Sequence, residues 1–128
     1  MADVTTMGFD LPGFGGPVFR SGDEGYDEAR RVFNGMIDRR PSIIARCTNA
    51  DDATMVVDLA REHHLPLSVY GGGHGVTGSA VVDAGVVADM RGMKGIQVDA
   101  DARMVRAEGG LTWGELDAAT QEHGLAVT

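Results

Sequence analysis

The sequence holds a single cysteine, Cys47, so no disulfide forms within it and no cysteine-based zinc site is available. No apolar run is long enough to span a bilayer. Cations are few: 11 Lys and Arg stand against 19 Asp and Glu, for a net charge of −8. Nucleic acid and anionic membrane surfaces both require clustered cations, so neither is expected as a partner. No Gly-Lys-Ser/Thr follows a glycine-rich stretch, which removes a Walker-type phosphate loop. No G-x-S-x-G surrounds Ser42, Ser68 or Ser79, which removes a serine-hydrolase elbow. Met1 to Pro17 lack a basic stretch leading into an apolar one, and the expected compartment is the cytoplasm. The 128 residues, 43% of them hydrophobic, suffice for one domain or part of one with a real core.

What the chain does have is glycine, 19 in all. The densest stretch is Tyr70-Gly71-Gly72-Gly73-His74-Gly75-Val76-Thr77-Gly78, which follows the apolar run Leu65 to Tyr70. Glycines at a strand exit permit positive φ and put no Cβ between backbone N–H groups and an approaching ligand. Successive N–H groups pointing one way make an anion-binding nest. In an acidic chain, a phosphate must be held locally in this manner, because the overall field repels it. His74 sits in the middle of the loop.

Around the loop the chain reads as a series of short elements. Residues 1–20 are rich in Gly and Pro and are expected to be an irregular lead-in. Residues 21–40 are expected to form a helix. Ser21 and Glu24 have capping-box spacing, Tyr26, Ala29, Phe33, Met36 and Ile37 recur at helical intervals, and Pro41 ends the run. Ser42 to Cys47 reads as a strand, with Cys47 a buried structural thiol. Thr48 or Asn49 caps the next helix, whose apolar face is Ala53, Val56, Val57 and Ala60. His63 and His64 end it and point apart, so they make no metal pair. The strand Leu65 to Tyr70 completes a βαβ unit with the glycine loop at its carboxyl end, where open α/β sheets bind ligands. Ala80–Val82 and Val86–Asp89 read as β structure. Gly95–Asp99 and Met104–Glu108 flank a polar turn and predict a hairpin. Thr112 and Glu115 form a second capping box, opening a helix that runs to about His123, with Gly124 after it. Leu125 to Thr128 reads as the start of a strand. The fold class is α+β, with an α/β-like first half.

Gly73-His74-Gly75-Val76-Thr77-Gly78 also fits G-x-G-x-x-G, which opens a second reading, a Rossmann-like NAD-binding module. That reading requires a helix directly after Gly78, and the valine-rich stretch broken by Gly85 does not offer one.

Taken in order, these stretches resemble the FAD-linked oxidases of the vanillyl-alcohol oxidase type, which carry a PCMH-type FAD-binding domain, and most of all their berberine-bridge-enzyme-like branch. The resemblance runs from about Tyr26 to Thr128. Its motifs are Thr48-Asn49-Ala50-Asp51-Asp52, the loop Val69 to Gly75, Val87-Ala88-Asp89-Met90-Arg91-Gly92-Met93 followed by Ile96-Gln97-Val98-Asp99, and Val105 to Leu116. It implies that residues 41–128 are the N-terminal half of such a domain, truncated at the C-terminus. It implies FAD as cofactor, held by Tyr70, Gly71, Gly72, Gly73, His74, Gly75 and Val76 with Ser79 nearby. It makes His74 the residue joined to the flavin's 8α methyl carbon. Gly109, Gly110 and Thr128 stand where later loops of the family approach FAD. Tyr70 replaces a common Arg, and Gly75 replaces a common Ser or Asn. The substrate domain is not in this sequence. A small-molecule substrate therefore belongs to the complete enzyme, and little or no turnover is expected of the chain alone. The remaining alternative is a non-catalytic truncated or split product that assembles with a chain carrying the missing half.

Overall fold

The computed structural model describes residues 8–128. Its centre follows from two runs with no polar alternation. Ile43–Arg46 forms β2 and Val86–Asp89 forms β4. Strands that read as continuous apolar runs are those buried on both faces of a parallel sheet. Ile43, Ile44, Ala45 and all of β4 are indeed buried. They pair in parallel, with Ile43 opposite Val86 and Arg46 opposite Asp89. β3, Leu67–Tyr70, pairs with the other edge of β4, so Tyr70 also stands opposite Asp89. The lead-in supplies β1, Val18–Phe19, antiparallel to β2. The order is β1-β2-β4-β3.

The sheet thus separates two strands that sequence order alone would make neighbours. β2 and β3 are connected by helix α2, Ala50–Glu62, yet β4 lies between them. Asn49 caps α2 by accepting from the Asp52 N–H at 2.9 Å. Val56, Leu59 and Ala60 then pack on Ile43, Ala45, Val86 and Ala88. The lead-in is irregular for the most part but docked. Phe9 joins this core, and Asp52 accepts from the Gly15 N–H at 2.9 Å. Gly16 lies so close to β2 that a Cβ there would sit 1.8 Å from the Arg46 carbonyl oxygen. The opposite face of the sheet is covered by Tyr26, Ala29, Val32 and Val81, which pack on Ile44, Tyr70 and Val87.

The expected helix over 21–40 is corrected. Only α1, Tyr26–Ala29, is helical, and Gly25 at φ 84° precedes it with no side-chain cap. Asp23 spends its carboxylate on the Arg20 N–H. Beyond Ala29 the backbone turns to the glycine loop instead of continuing. Phe33 N–H donates to the Gly73 carbonyl at 3.0 Å, and Asn34 accepts from the Met36 N–H in a local turn. Phe33 and Met36, read as core positions, are 77% and 90% exposed. Two further strand expectations fall. Residues 80–82 and 125–128 pair with no strand among the described residues.

The second half follows its local signals. β5, Ile96–Asp99, and β6, Met104–Ala107, form the antiparallel hairpin. Helix α3, Trp113–Gln121, begins with the Thr112–Glu115 capping box in full. Gly124 at φ 67° closes it, and Leu125 N–H returns to the Thr120 carbonyl. That closure uses the backbone expected to begin a strand.

Candidate functional site

β3 ends at Tyr70, and the glycine loop leaves the sheet at the carboxyl end of the parallel strands. Three groups hold it from behind. Arg39 donates to the carbonyls of Thr77, Gly78 and Val81 at 3.2, 2.9 and 3.0 Å. Asn34 Nδ2 donates to the Val76 carbonyl at 3.2 Å, and Phe33 N–H to that of Gly73. Gly78 N–H takes the Gly75 carbonyl. The carbonyls of Gly73, Gly75, Val76, Thr77 and Gly78 are therefore occupied, while the loop's donors as far as Thr77 are not. Among the described residues, the N–H groups of Gly71 to Thr77 find no acceptor in the chain. Gly73 is itself buried, at φ 70°, and a Cβ there would stand 2.4 Å from the Tyr70 hydroxyl.

Below the loop lies a buried charge cluster. Asp89, fully buried at the end of β4, accepts from Arg91 Nε at 2.8 Å and Nη2 at 2.9 Å, and from Arg46 Nε at 2.9 Å. Burial alone would raise the Asp89 carboxyl. The hydrogen bonds from Arg91 and then Arg46 outweigh it and hold the group below the usual carboxylate range. Arg91 stands in a single 3₁₀ turn, Met90–Gly92, and its guanidinium covers the Tyr70 ring at 3.8 Å from the centroid. The Tyr70 hydroxyl donates to the Arg31 carbonyl at 2.7 Å.

Opposite the loop, Gly110, Leu111, Thr112 and Trp113 bring the start of α3 across a cavity of about 420 Å³. Tyr70, Gly71, Gly72, His74, Arg91 and Lys94 complete its lining. Gly110 is required here, because a Cβ would fall 2.0 Å from the Met90 carbonyl oxygen. Lys94 pairs with Glu115 at 2.8 Å, and this bond, with the Thr112 N–H, draws the Glu115 carboxyl down to about 2. A larger recess of about 710 Å³ follows the β5–β6 hairpin, but it has no loop of free donors and sits on an exposed sheet surface.

Of the residues expected at the site, Tyr70, Gly71, Gly72 and His74 line this cavity. Gly73 faces Tyr70, while Gly75, Val76 and Ser79 are exposed and do not line the cavity. Gly110 is at the cavity, and Gly109 places its carbonyl 3.6 Å from where a Gly71 Cβ would be. Thr128 is exposed and does not line it. No helix follows Gly78. The chain turns through residues 79–85 and enters β4, so the Rossmann-like NAD reading is set aside. Arg91 and Lys94 were not among the expected site residues.

The sequence of residues 41–128 matches the family model described as an FAD binding domain. The chain belongs to the FAD-binding domain family of FAD-linked oxidoreductases. Within this family it is 37% identical over 111 residues to (R)-6-hydroxynicotine oxidase of Paenarthrobacter nicotinovorans, covering 87% of the chain and 24% of that protein. It is 32% identical over 112 residues to the FAD-linked oxidoreductase YgaK of Bacillus subtilis, covering 88% of the chain and 25% of that protein. Its fold superposes on the crystal structure of 6-hydroxy-D-nicotine oxidase from Arthrobacter nicotinovorans with a TM-score of 0.86 at 35% identity, covering 91% of the chain and 26% of that structure. A berberine-bridge-enzyme-like protein of Physcomitrella patens shares the fold, with a TM-score of 0.81 at 24% identity over 86% of the chain and 24% of that structure. The chain spans about a quarter of the length of these relatives. The cofactor of this FAD-binding domain is FAD. No described helix is long and apolar enough to cross a membrane.

Proposed function

We propose that the glycine loop holds the FAD pyrophosphate through its free backbone N–H groups and that His74 is the point of covalent attachment. The observation that carries this reading is the set of unoccupied donors from Gly71 to Thr77 beside a cavity wide enough for a cofactor segment. An anion in that position satisfies donors that nothing else in the described chain satisfies. Arg91 adds a positive charge to the cavity lining, fixed in place by Asp89. Tyr70, Gly71, Gly72 and Gly73 shape the approach, and Gly75, Val76 and Ser79 flank it. When bound, FAD supplies a two-electron acceptor for hydride removed from a small-molecule substrate. His74 would supply the ring nitrogen that bonds the flavin's 8α methyl carbon in place of one C–H, with two protons lost and the flavin itself taking up the electron pair. His74 needs a free ring nitrogen for this, and its exposed side chain provides access.

The activity of the whole oxidoreductase needs more than this segment. The groups described here are proposed to bind and orient the cofactor. The chain alone is therefore expected to turn over no substrate, and a partner chain or further sequence carrying the remaining domain completes the site. The reading is tested by expressing the 128-residue chain with FAD, denaturing it, and following flavin fluorescence on a gel beside His74→Ala. Fluorescence retained by the parent and lost in the variant supports attachment at His74. Retention in His74→Ala overturns it.

A further inference from the structure

Phe33 is exposed and belongs to neither core, yet its position is well defined. Its N–H is tied to the Gly73 carbonyl at 3.0 Å, and the next side chain, Asn34, is tied to the Val76 carbonyl at 3.2 Å. These bonds run to the residues on either side of His74. They carry the Phe33 ring onto the imidazole, with centroids 4.8 Å apart and planes inclined by 33°. On the loop itself, the imidazole Cδ2 lies 3.3 Å from where a Cβ on Gly72 would stand. His74 thus has an aromatic ring and a bare α-carbon as close neighbours. A surface histidine ordinarily samples several rotamers, and two such neighbours restrict it.

We infer that Phe33 is a positioning residue for His74, holding the imidazole in the orientation from which it bonds to flavin. The inference rests on the attachment role given to His74 above. Phe33 is 77% exposed, so its ring contributes little to burial, and it pairs with the His74 ring. An aromatic at this place sets an angle rather than a stability, and a displacement of an attacking atom by about 1 Å is enough to slow a reaction markedly.

The test uses the 128-residue chain as parent, Phe33→Leu and Phe33→Tyr, with His74→Ala to assign the imidazole resonances. The first readout needs no cofactor. In the parent, the His74 ring protons are expected to show ring-current shifts and nuclear Overhauser contacts to the Phe33 ring. Both should vanish in Phe33→Leu and return in Phe33→Tyr, with unchanged thermal unfolding in all three. The second readout is the rate of flavin attachment, expected to fall about tenfold in Phe33→Leu and to recover in Phe33→Tyr. His74 resonances indifferent to Phe33→Leu overturn the inference, as does attachment at the parent rate in that variant. If the parent attaches no flavin even with the remaining domain supplied, the attachment reading fails and the attachment role of Phe33 falls with it, whereas a response of the His74 resonances to Phe33→Leu still shows that Phe33 orients the imidazole.

Discussion

The Arg91 guanidinium lies 3.8 Å from the centroid of the Tyr70 ring while both its forked nitrogens engage Asp89. Tyr70 stands at the head of the glycine loop and carries no charge of its own. A charge is supplied to it from elsewhere in the chain. It arrives from the turn after β4 and reaches the loop through the face of the aromatic ring. Arg91 also donates to the Ala29 carbonyl at 2.7 Å, so one side chain joins α1, β3 and β4.

Replacing Arg91 should therefore loosen the loop and the sheet end together. Arg91→Ala leaves buried Asp89 with Arg46 as its remaining charged partner and is expected to cost about 2 kcal/mol, less than loss of a sole partner would. Arg91→Lys keeps the charge but loses the fork and should recover only part. Urea unfolding of the three proteins checks the order.

The low folded-state pKa of Asp89 fixes the direction of one pH effect. A carboxyl depressed on folding stabilises the protein fully above its unfolded value of about 4 and loses that contribution as pH falls through the folded value. The parent should thus lose stability below about pH 4 more steeply than Asp89→Asn. The variant should be less stable than the parent at neutral pH, since both arginines lose a charged acceptor. Denaturant midpoints across that window test both statements, and parallel acid limbs would count against them.

Two glycines close in sequence should respond oppositely to alanine. Gly110→Ala drives a Cβ to 2.0 Å from the Met90 carbonyl oxygen and 2.6 Å from that of Met93, and backbone must move. It should destabilise by about 2 kcal/mol or more and abolish flavin retention. Gly114, in the first turn of α3, has nothing within 4 Å of that position. Gly114→Ala should be neutral or stabilising by up to about 1 kcal/mol. Thermal unfolding together with flavin retention separates them.

Cys47 is fully buried, and desolvation, aided by the charges of Asp52 and Asp89, raises its thiol to about 11. It should resist a thiol-reactive disulfide reagent at pH 8 in the folded chain and react at once in denaturant. Rapid labelling of folded protein would contradict its place in the core.

The sequence was most legible where the signal was local. Asn49 with Asp52, and Thr112 with Glu115, announce their helices because the capping atoms lie three residues apart. The hairpin is legible for the same reason. Less was visible where distant segments meet. Phe33 and Met36 have helical spacing, but Arg39 and Asn34 bind the glycine loop some forty residues onward, and those bonds displace the helix. Nothing local to Val86–Asp89 reveals that it will separate β2 from β3. Arg91 stood inside a quoted motif, yet its role depends on a tight turn that folds it back onto Asp89, two residues before it.

The position of β4 also sets a timetable. During synthesis the ribosome delivers β2, α2 and β3 well before Val86–Asp89, and β3 has no other strand to join among the described elements. An emerging chain must keep Leu67–Tyr70 unpaired while the whole glycine loop is made, then admit the late strand between two earlier ones. Such insertion ties the sheet's completion to long-range closure, which slows folding and leaves a strand edge open to wrong partners in the interval.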